Sequence, residues 1–260
     1  MTLHSPTVGD FLRDWRARRR LSQLDLAGEA DVSTRHLSFV ESGRAAPSRE
    51  LLLRLAEPLA LPLRERNRLL LVAGYAPLHS EQAIDAPDMA AAKTAIEMIL
   101  HGHSPFPALA VDRQWNLVIC NDAVLALLEG TDPALLAPPA NVLRVSLHPN
   151  GLASRIVNLA EWRHHLLTRL RDDADRSADP ALLALYEELR ALPAPASPRP
   201  YGSPQKIAVP LQIRNPTNGA VLSFISTTTV FGTAVDVTLA ELTLECFYPA
   251  DEETRRTLMG

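Results

Sequence analysis

The sequence predicts two successive folds: an all-α N-terminal domain of five helices over residues 1–78, then an α+β domain with an antiparallel sheet over residues 92–260. Three observations carry this. Up to Pro77, apolar residues recur at helical spacing, with Ser or Pro at the restarts. Beyond Ala92 the pattern changes to two strand-like segments, several helical ones, and three more strand-like segments. Between the two regions, residues 79–91 are polar, contain Pro87 and lack periodicity, which marks a linker.

The 260 residues are 47% hydrophobic and 22% charged, enough apolar mass for one large core or two small ones. Residues 1–42 lack the order of a signal peptide, and no apolar run approaches the roughly 18 residues of a membrane span. A cytoplasmic protein that does not enter the membrane is expected. Cys120 and Cys246 each lie in an apolar, strand-like segment, so buried reduced thiols are expected, with a disulfide as the alternative. Charge is unevenly shared. Residues 1–76 carry 12 Arg, no Lys and 9 acidic residues, a net +3, whereas the remainder carries 14 basic and 21 acidic residues, a net −7. A basic head on an acidic body suits phosphate contact by the first domain alone.

The first helix is predicted over Val8–Arg20, with Val8, Phe11, Leu12 and Trp15 on one face. Arg18, Arg19 and Arg20 then form a basic run that is either a solvated face or a phosphate contact. Ser22 caps a helix carrying Leu26, Ala27 and Ala30; Asp31-Val32 turn; Ser33 caps a second short helix with Leu37 and Val40 inward. Two short helices joined in this way make a helix-turn-helix, whose second helix presents Thr34, Arg35, Ser38 and Phe39 outward. In that motif the second helix enters the major groove, so these four side chains are candidates for contacting base edges. The helix start at Gln23, with Arg44 and Arg49, supplies candidates for the phosphate backbone, and Ser33, the cap of the second helix, is a further DNA-binding candidate. Gly43 ends the recognition helix; Ser48 caps a fourth helix running to about Ala60; Pro62 opens a fifth, which Gly74 and Pro77 stop. The partner expected is double-stranded DNA, a palindromic operator bound by a homodimer.

In the second domain, a helix over Ala92–His101 leads to strands at Ala108–Asp112 and Trp115–Cys120, joined by Arg113-Gln114. Helices are predicted over Asn121–Glu129, Leu152 to about Ala174, and Pro180–Leu192. The second of these shows Ile156, Leu159, Trp162, Leu166 and Leu170 on one side. Pro193–Pro204 is proline-rich and irregular. Ile207, Val209, Leu211 and Ile213 alternate as a strand that Pro210 confines to a sheet edge; Val221–Phe231 and Val235–Tyr248 complete the sheet. Two strands, helices, then three strands fit a PAS-like fold.

The segments SQLDLA, VSTRHLSFVESGR and PSRELLLRLAEPL resemble the lambda-repressor-like (Xre-type) DNA-binding domain. Asp31 stands where that family usually has glycine, and Gly28 lies inside the first helix of the motif. RHLSFVESGRAAPSRELLLRLAEPLALPLRERNRLLLVAGYAP, FPALAVDRQWNLVICN, LHPNGL and FGTAVDVTLAELTLECFYPADEET resemble, over nearly the whole chain, the MmyB-like transcription regulators of bacteria. The resemblance implies an ion pair between Arg16 and Glu41 that ties the first helix to the recognition helix. It also implies a C-terminal domain that binds a fatty acid or similar lipid, with no other cofactor.

Residues suited to that ligand lie between Arg144 and Trp162. Arg144, His148, Arg155 and Asn158 are candidates for an anionic head group, each also able to serve in a surface ion pair or a carbonyl contact. Trp162 follows Asn158 by one turn. Trp115, Phe224 and Phe231 are candidates to line an apolar cavity, or plain core. No Gly-rich phosphate loop and no G-x-S-x-G elbow is present. His101-x-His103 and His164-His165 lack a third ligand at useful spacing and are expected on the surface, so no metal site is expected. The chain reads as a regulator rather than an enzyme. A second domain that only dimerises, or one that holds haem, are the alternatives.

Overall fold

The computed structural model describes residues 7–193 and 208–260. They form two compact units, one running through Gln82 and including Thr233–Ala240, the other built from Ala83–Gly232 and Glu241–Gly260.

The first unit opens with five helices: α1 (Val8–Arg18), α2 (Gln23–Glu29), α3 (Thr34–Glu41), α4 (Arg49–Ala56) and α5 (Leu63–Val72). Short polar side chains start four of them. Thr7 with Asp10, and Ser22 with Asp25, form reciprocal capping boxes, while Ser33 and Ser48 accept from His36 N and Leu51 N. Each such cap stabilises its helix by about 1 kcal/mol. The inward stripes meet in one core: Phe11, Leu12 and Trp15 of α1, Leu26 and Ala27 of α2, Leu37 and Val40 of α3, and Leu52 and Leu55 of α4 are all buried. Asp31 turns the chain between α2 and α3 at φ 53, a conformation that Asp tolerates better than most residues. Gly9 is required by close approach instead, since a Cβ there would lie 2.1 Å from the Glu41 carbonyl oxygen.

Three boundaries differ from expectation. α1 ends at Arg18 rather than Arg20, where the backbone takes φ 56. α4 ends at Ala56 rather than near Ala60, because Ala60 takes φ 46 and breaks the helical path. Pro62 is the N-cap of α5 rather than part of its first turn. After α5, Asn67 fixes the chain: its carboxamide accepts from Leu78 N and His79 N at 2.9 and 3.0 Å and donates to His79 O at 2.8 Å. Ser80, at the start of the expected linker, hydrogen-bonds Asp236 through its hydroxyl and accepts from Val237 N, each at 2.8 Å.

In the second unit a 3-10 turn (Pro87–Met89) leads into α6 (Ala90–Gly102), then the hairpin β1 (Ala108–Val111) and β2 (Leu117–Cys120). Helices α7 (Asp122–Leu128), α8 (Pro133–Leu136), α9 (Val142–Leu147), α10 (Leu159–Ser177) and α11 (Pro180–Ala191) follow. The chain then returns to the sheet with β3 (Leu211–Arg214) and β4 (Val221–Val230). β5 (Thr243–Pro249) and α13 (Glu252–Met259) close it; the short helix α12 (Val237–Glu241), between β4 and β5 in the chain, lies almost wholly in the first unit. Among the described residues the sheet has five antiparallel strands in the order β2-β1-β5-β4-β3. β5 therefore lies at its centre, and β3, just after Pro210, lies at an edge. Leu170, Leu189, Ile213 and Phe224 are fully buried where helices cover the sheet.

The helix expected from Leu152 starts seven residues later. Residues 155–157 are drawn into sheet pairing instead, with Ile156 bridging Ile213, Val157 N donating to Gln212 O, and Arg214 N donating to Arg155 O. The strand expected from Val235 begins at Thr243, because Asp236 accepts from Thr238 N and Leu239 N and starts α12. Cys246 is buried, Cys120 is half-buried, and both are free thiols. The expected Pro193–Pro204 excursion and the strand start at Ile207 fall on residues 194–207, outside the described residues. Among the described residues no helix is long and apolar enough to cross a membrane.

Candidate functional sites

The outer face of α3 carries an aromatic ring that two guanidinium groups approach. Arg35 lies 5.4 Å and Arg44 4.5 Å from the Phe39 ring centroid. Chain geometry sets this arrangement. Arg35 precedes Phe39 by one helical turn, and Arg44 N donates to Phe39 O at 2.8 Å just past the C-terminus of α3. Arg44 Nε also donates to Ser42 Oγ at 2.9 Å. Leu37 and Val40 hold the opposite face of α3 in the core, so Arg35 is exposed while Thr34, Ser38 and Phe39 are half-buried. Arg49 is exposed at the first position of α4, and the exposed Ser33 spends its oxygen on the cap.

Glu41, the last residue of α3, fixes the orientation of that helix. Its carboxylate accepts from Arg16 Nε at 2.8 Å and Arg16 Nη2 at 3.0 Å, a two-pronged pair, and from Gln23 Nε2 at 2.8 Å. Arg13 donates to its carbonyl, and Arg16 Nη1 donates to Leu21 O at 3.1 Å. Burial pushes the Glu41 carboxyl up, but the hydrogen bonds from Arg16 and Gln23 outweigh it and hold it below the usual glutamate value. Gln23, expected at a phosphate, thus has its carboxamide turned toward Glu41. Three elements, α1, α2 and α3, are locked through one carboxylate.

The second unit contains a cavity of about 110 Å³ between the sheet and helices α7 to α10. Its wall is overwhelmingly aliphatic and aromatic, including Leu109, Leu117, Leu143, Leu166, Leu211 and Phe247. Trp115 reaches it because Asp112 accepts from Gln114 N and Asn116 N, making a turn that puts Trp115 at φ 65. Trp162, from α10, donates its indole N–H to Ser146 Oγ at 3.1 Å. The polar part of the wall is small. Arg169 Nη2 donates to Glu245 Oε1 at 2.5 Å, and its guanidinium lies 4.5 Å over the Trp115 ring. Thr228 Oγ1 donates to the same Glu245 oxygen at 3.0 Å. His165 packs against Trp162 at 5.5 Å; burial first, then the Arg169 charge, pushes its pKa below the ordinary histidine value.

Of the residues expected at a ligand, Trp115 and Trp162 line this cavity. The others stand elsewhere, each with a structural occupation. Arg144 makes a two-pronged, half-exposed pair with Glu188 at 2.6 and 2.8 Å. His148 Nδ1 accepts from Asn150 N, capping the turn that follows. Arg155 donates to Leu127 O, and its Nη1 is buried without a hydrogen-bond partner. Asn158 holds β3 through Pro210 O and Gln212 N. Phe224 is fully buried beneath Phe247, and Phe231 follows β4 away from the cavity wall. His165, expected on the surface, is on the wall. Arg169 and Glu245 were not singled out from sequence. Two signals point to them: Arg169 continues the Trp162-His165-Leu166 face of α10, and Glu245 is an acid inside an apolar strand. Among the described residues no three His, Cys, Asp or Glu side chains are grouped to hold a metal ion.

A basic-faced helix-turn-helix unit followed by a sheet-and-helix unit with an apolar cavity defines the class: a DNA-binding transcription regulator with a ligand-binding domain. The family models agree. Residues 7–69 match a helix-turn-helix domain, and residues 92–259 match the MmyB-like transcription regulator ligand binding domain. The chain belongs to the MmyB-like transcription regulators. No curated protein matches it. Among solved structures, the clp gene regulator ClgR from Corynebacterium glutamicum is 26% identical over 38% of this chain and 93% of that one, with a TM-score of 0.24.

Proposed function

We propose that this chain is a cytoplasmic, sequence-specific regulator that binds a palindromic operator as a homodimer and responds to a fatty acid or similar lipid in its second domain. A single helix-turn-helix reads few base pairs, so two copies on half-sites about 10 bp apart, or a multiple of that, supply the specificity. In this reading Arg35, Thr34, Ser38 and Phe39 face base edges, and Arg44 and Arg49 face phosphates. The observation that carries the ligand reading is the cavity of about 110 Å³, walled by leucines, Trp115, Trp162 and Phe247. A predominantly apolar wall with a few polar groups suits an apolar or amphiphilic ligand.

A ligand changes DNA affinity only by as much as it prefers one conformation of the protein over another, and couplings of about 1–3 kcal/mol are usual. Extraction of the purified protein with organic solvent, followed by mass spectrometry and a visible spectrum, tests the ligand class. Stoichiometric lipid supports the reading. A Soret band replaces it with haem, and neither finding leaves a dimerisation domain.

A further inference from the structure

We propose that residues 233–240, which join β4 to β5, are the element through which occupation of the cavity reaches the helix-turn-helix unit, with Ser80 and Asp236 as its fastening. The proposal rests on the reading that the cavity holds a lipid. Its starting point is chain order: these residues run between two strands of the second unit, yet they belong to the first.

At the cavity the path begins as a paired ribbon. Ser226 of β4, with Glu245 and Phe247 of β5, stands on the wall. Ser226 is the cross-strand partner of Phe247, and Thr228 is that of Glu245, whose carboxylate accepts from Thr228 Oγ1 at 3.0 Å. From there the register runs without a shift to Val230 and Thr243, the last pair before the chain leaves the sheet. Such a ladder moves as one body, because sliding one strand past the other breaks several backbone hydrogen bonds together. A ligand that displaces Phe247 or Glu245 therefore displaces the base of the 233–240 segment.

The far end is fastened. The Ser80 hydroxyl donates to Asp236 Oδ2 and Val237 N donates to Ser80 O, each at 2.8 Å. Asp236 Oδ1 accepts from Thr238 N and Leu239 N, so one carboxylate both holds Ser80 and starts α12. Val237 beside it is fully buried. On the other side of Ser80, Asn67 of α5 grips the chain at Leu78 and His79. A shift of Asp236 is thus passed through Ser80 and His79 to α5, whose Leu69 and Leu70 are buried.

This fastening is also able to open. His79 Nδ1 lies 3.2 Å from Val235 O, and a carbonyl only accepts, so the contact places a proton on Nδ1. The other ring nitrogen, Nε2, is buried without a hydrogen-bond partner. A stranded buried acceptor disfavours the closed arrangement and is relieved by water when the segment lifts. Two good hydrogen bonds and a buried valine, set against that nitrogen, leave a gap small enough for a ligand of modest preference to shift.

The test uses the full chain, stripped of lipid and then loaded with hexadecanoate. Operator affinity is measured in both states for wild type, Asp236→Ala and Ser80→Ala. Neither residue lines the cavity, so all three proteins are expected to retain equal amounts of extractable lipid. Wild type is expected to change affinity by roughly 5- to 150-fold between the states, and Asp236→Ala to bring that ratio to within about twofold of one. Ser80→Ala removes the same bond without touching the start of α12; it is expected to cut the ratio by about threefold, and it decides the matter if Asp236→Ala does not fold. A wild-type ratio preserved in both variants overturns the proposal, leaves the lipid-sensor reading in place and assigns the coupling to the chain entering α6. Loss of lipid from the variants also overturns it, since the segment then belongs to the ligand site. A wild-type ratio of one removes the sensor reading itself, and this proposal with it.

Discussion

The Arg44 guanidinium rests 4.5 Å from the Phe39 ring centroid, on a ring that Arg35 also approaches to 5.4 Å. Each contact is worth about 0.5–1 kcal/mol at an exposed site. Their more useful consequence is that two long side chains, on α3 and in the loop after it, lose freedom before DNA arrives. Phe39→Ala is therefore expected to weaken operator binding by roughly tenfold, with part of the loss in discrimination between bases. Fluorescence anisotropy on operator and on scrambled DNA at one salt concentration separates the two parts. Equal affinity of Phe39→Ala and wild type for both would remove the stack from the account.

Arg35 and Arg49 are expected to fail differently. Arg35→Ala should cost about 1–3 kcal/mol and relax preference at one base position, as loss of a two-pronged guanine contact does. Arg49→Ala should weaken operator and random DNA alike and lower the salt slope by about one phosphate. A binding-site selection for the first and a salt titration for the second decide these roles. The reverse assignment of the two effects would exchange them.

Glu41 makes the first unit acid-sensitive in a specific way. Its carboxyl is held below the ordinary value, so its contribution is fully present above the unfolded-state pKa and is lost as pH falls through the lower, folded-state pKa. Glu41→Gln should lower the melting temperature at neutral pH and flatten the loss of stability on acidification. Asp10 and Asp25, held down by the Thr7 and Ser22 caps, account for part of the slope that remains. Parallel melting curves for variant and wild type from neutral to acid pH would contradict the role.

Gly9 offers a second test of the same junction. Any side chain there runs into the Glu41 carbonyl at 2.1 Å, backbone that cannot swing aside. Gly9→Ala is expected to destabilise the first unit by about 1–3 kcal/mol through overpacking and to weaken DNA binding with it. Thermal unfolding checks the size of the effect; an unchanged midpoint would mean that α1 shifts freely against α3.

The first unit was legible in the sequence because local signals agree there. Ser22, Ser33 and Ser48 cap helices whose apolar stripes have the right period, and the turn at Asp31 carries its own signature. The Arg16–Glu41 pair came from resemblance, whereas the need for glycine at position 9 depends on where α3 ends in space and leaves no local trace. In the second unit the strands were readable from alternation. The delayed start of α10 was not, because Ile156 and Val157 answer to β3, more than fifty residues away. The short helices α8, α9 and α12 escaped for the opposite reason, being too brief for periodicity, and α13 went unread although it is as long as α3. Their caps at Asp132, Asn141 and Asp251 were the available signals. The cavity's polar pair was hidden because Arg169 and Glu245 are 76 residues apart and meet only across the helix–sheet interface.

Filling the cavity should separate ligand binding from folding. Leu117→Trp puts a larger ring into the wall beside Trp115 and is expected to abolish retention of extractable apolar ligand while leaving operator binding by the stripped protein in place. Circular dichroism confirms the fold. Undiminished ligand retention would place the ligand outside this cavity.

Operator affinity of the same preparation, stripped of lipid and then reloaded, tests most directly whether the two activities are coupled. A change of roughly 5- to 150-fold between the two states, absent in Leu117→Trp, is the result expected for a ligand-gated regulator. Identical affinity in both states would contradict it, and would reduce any bound lipid to a structural filler.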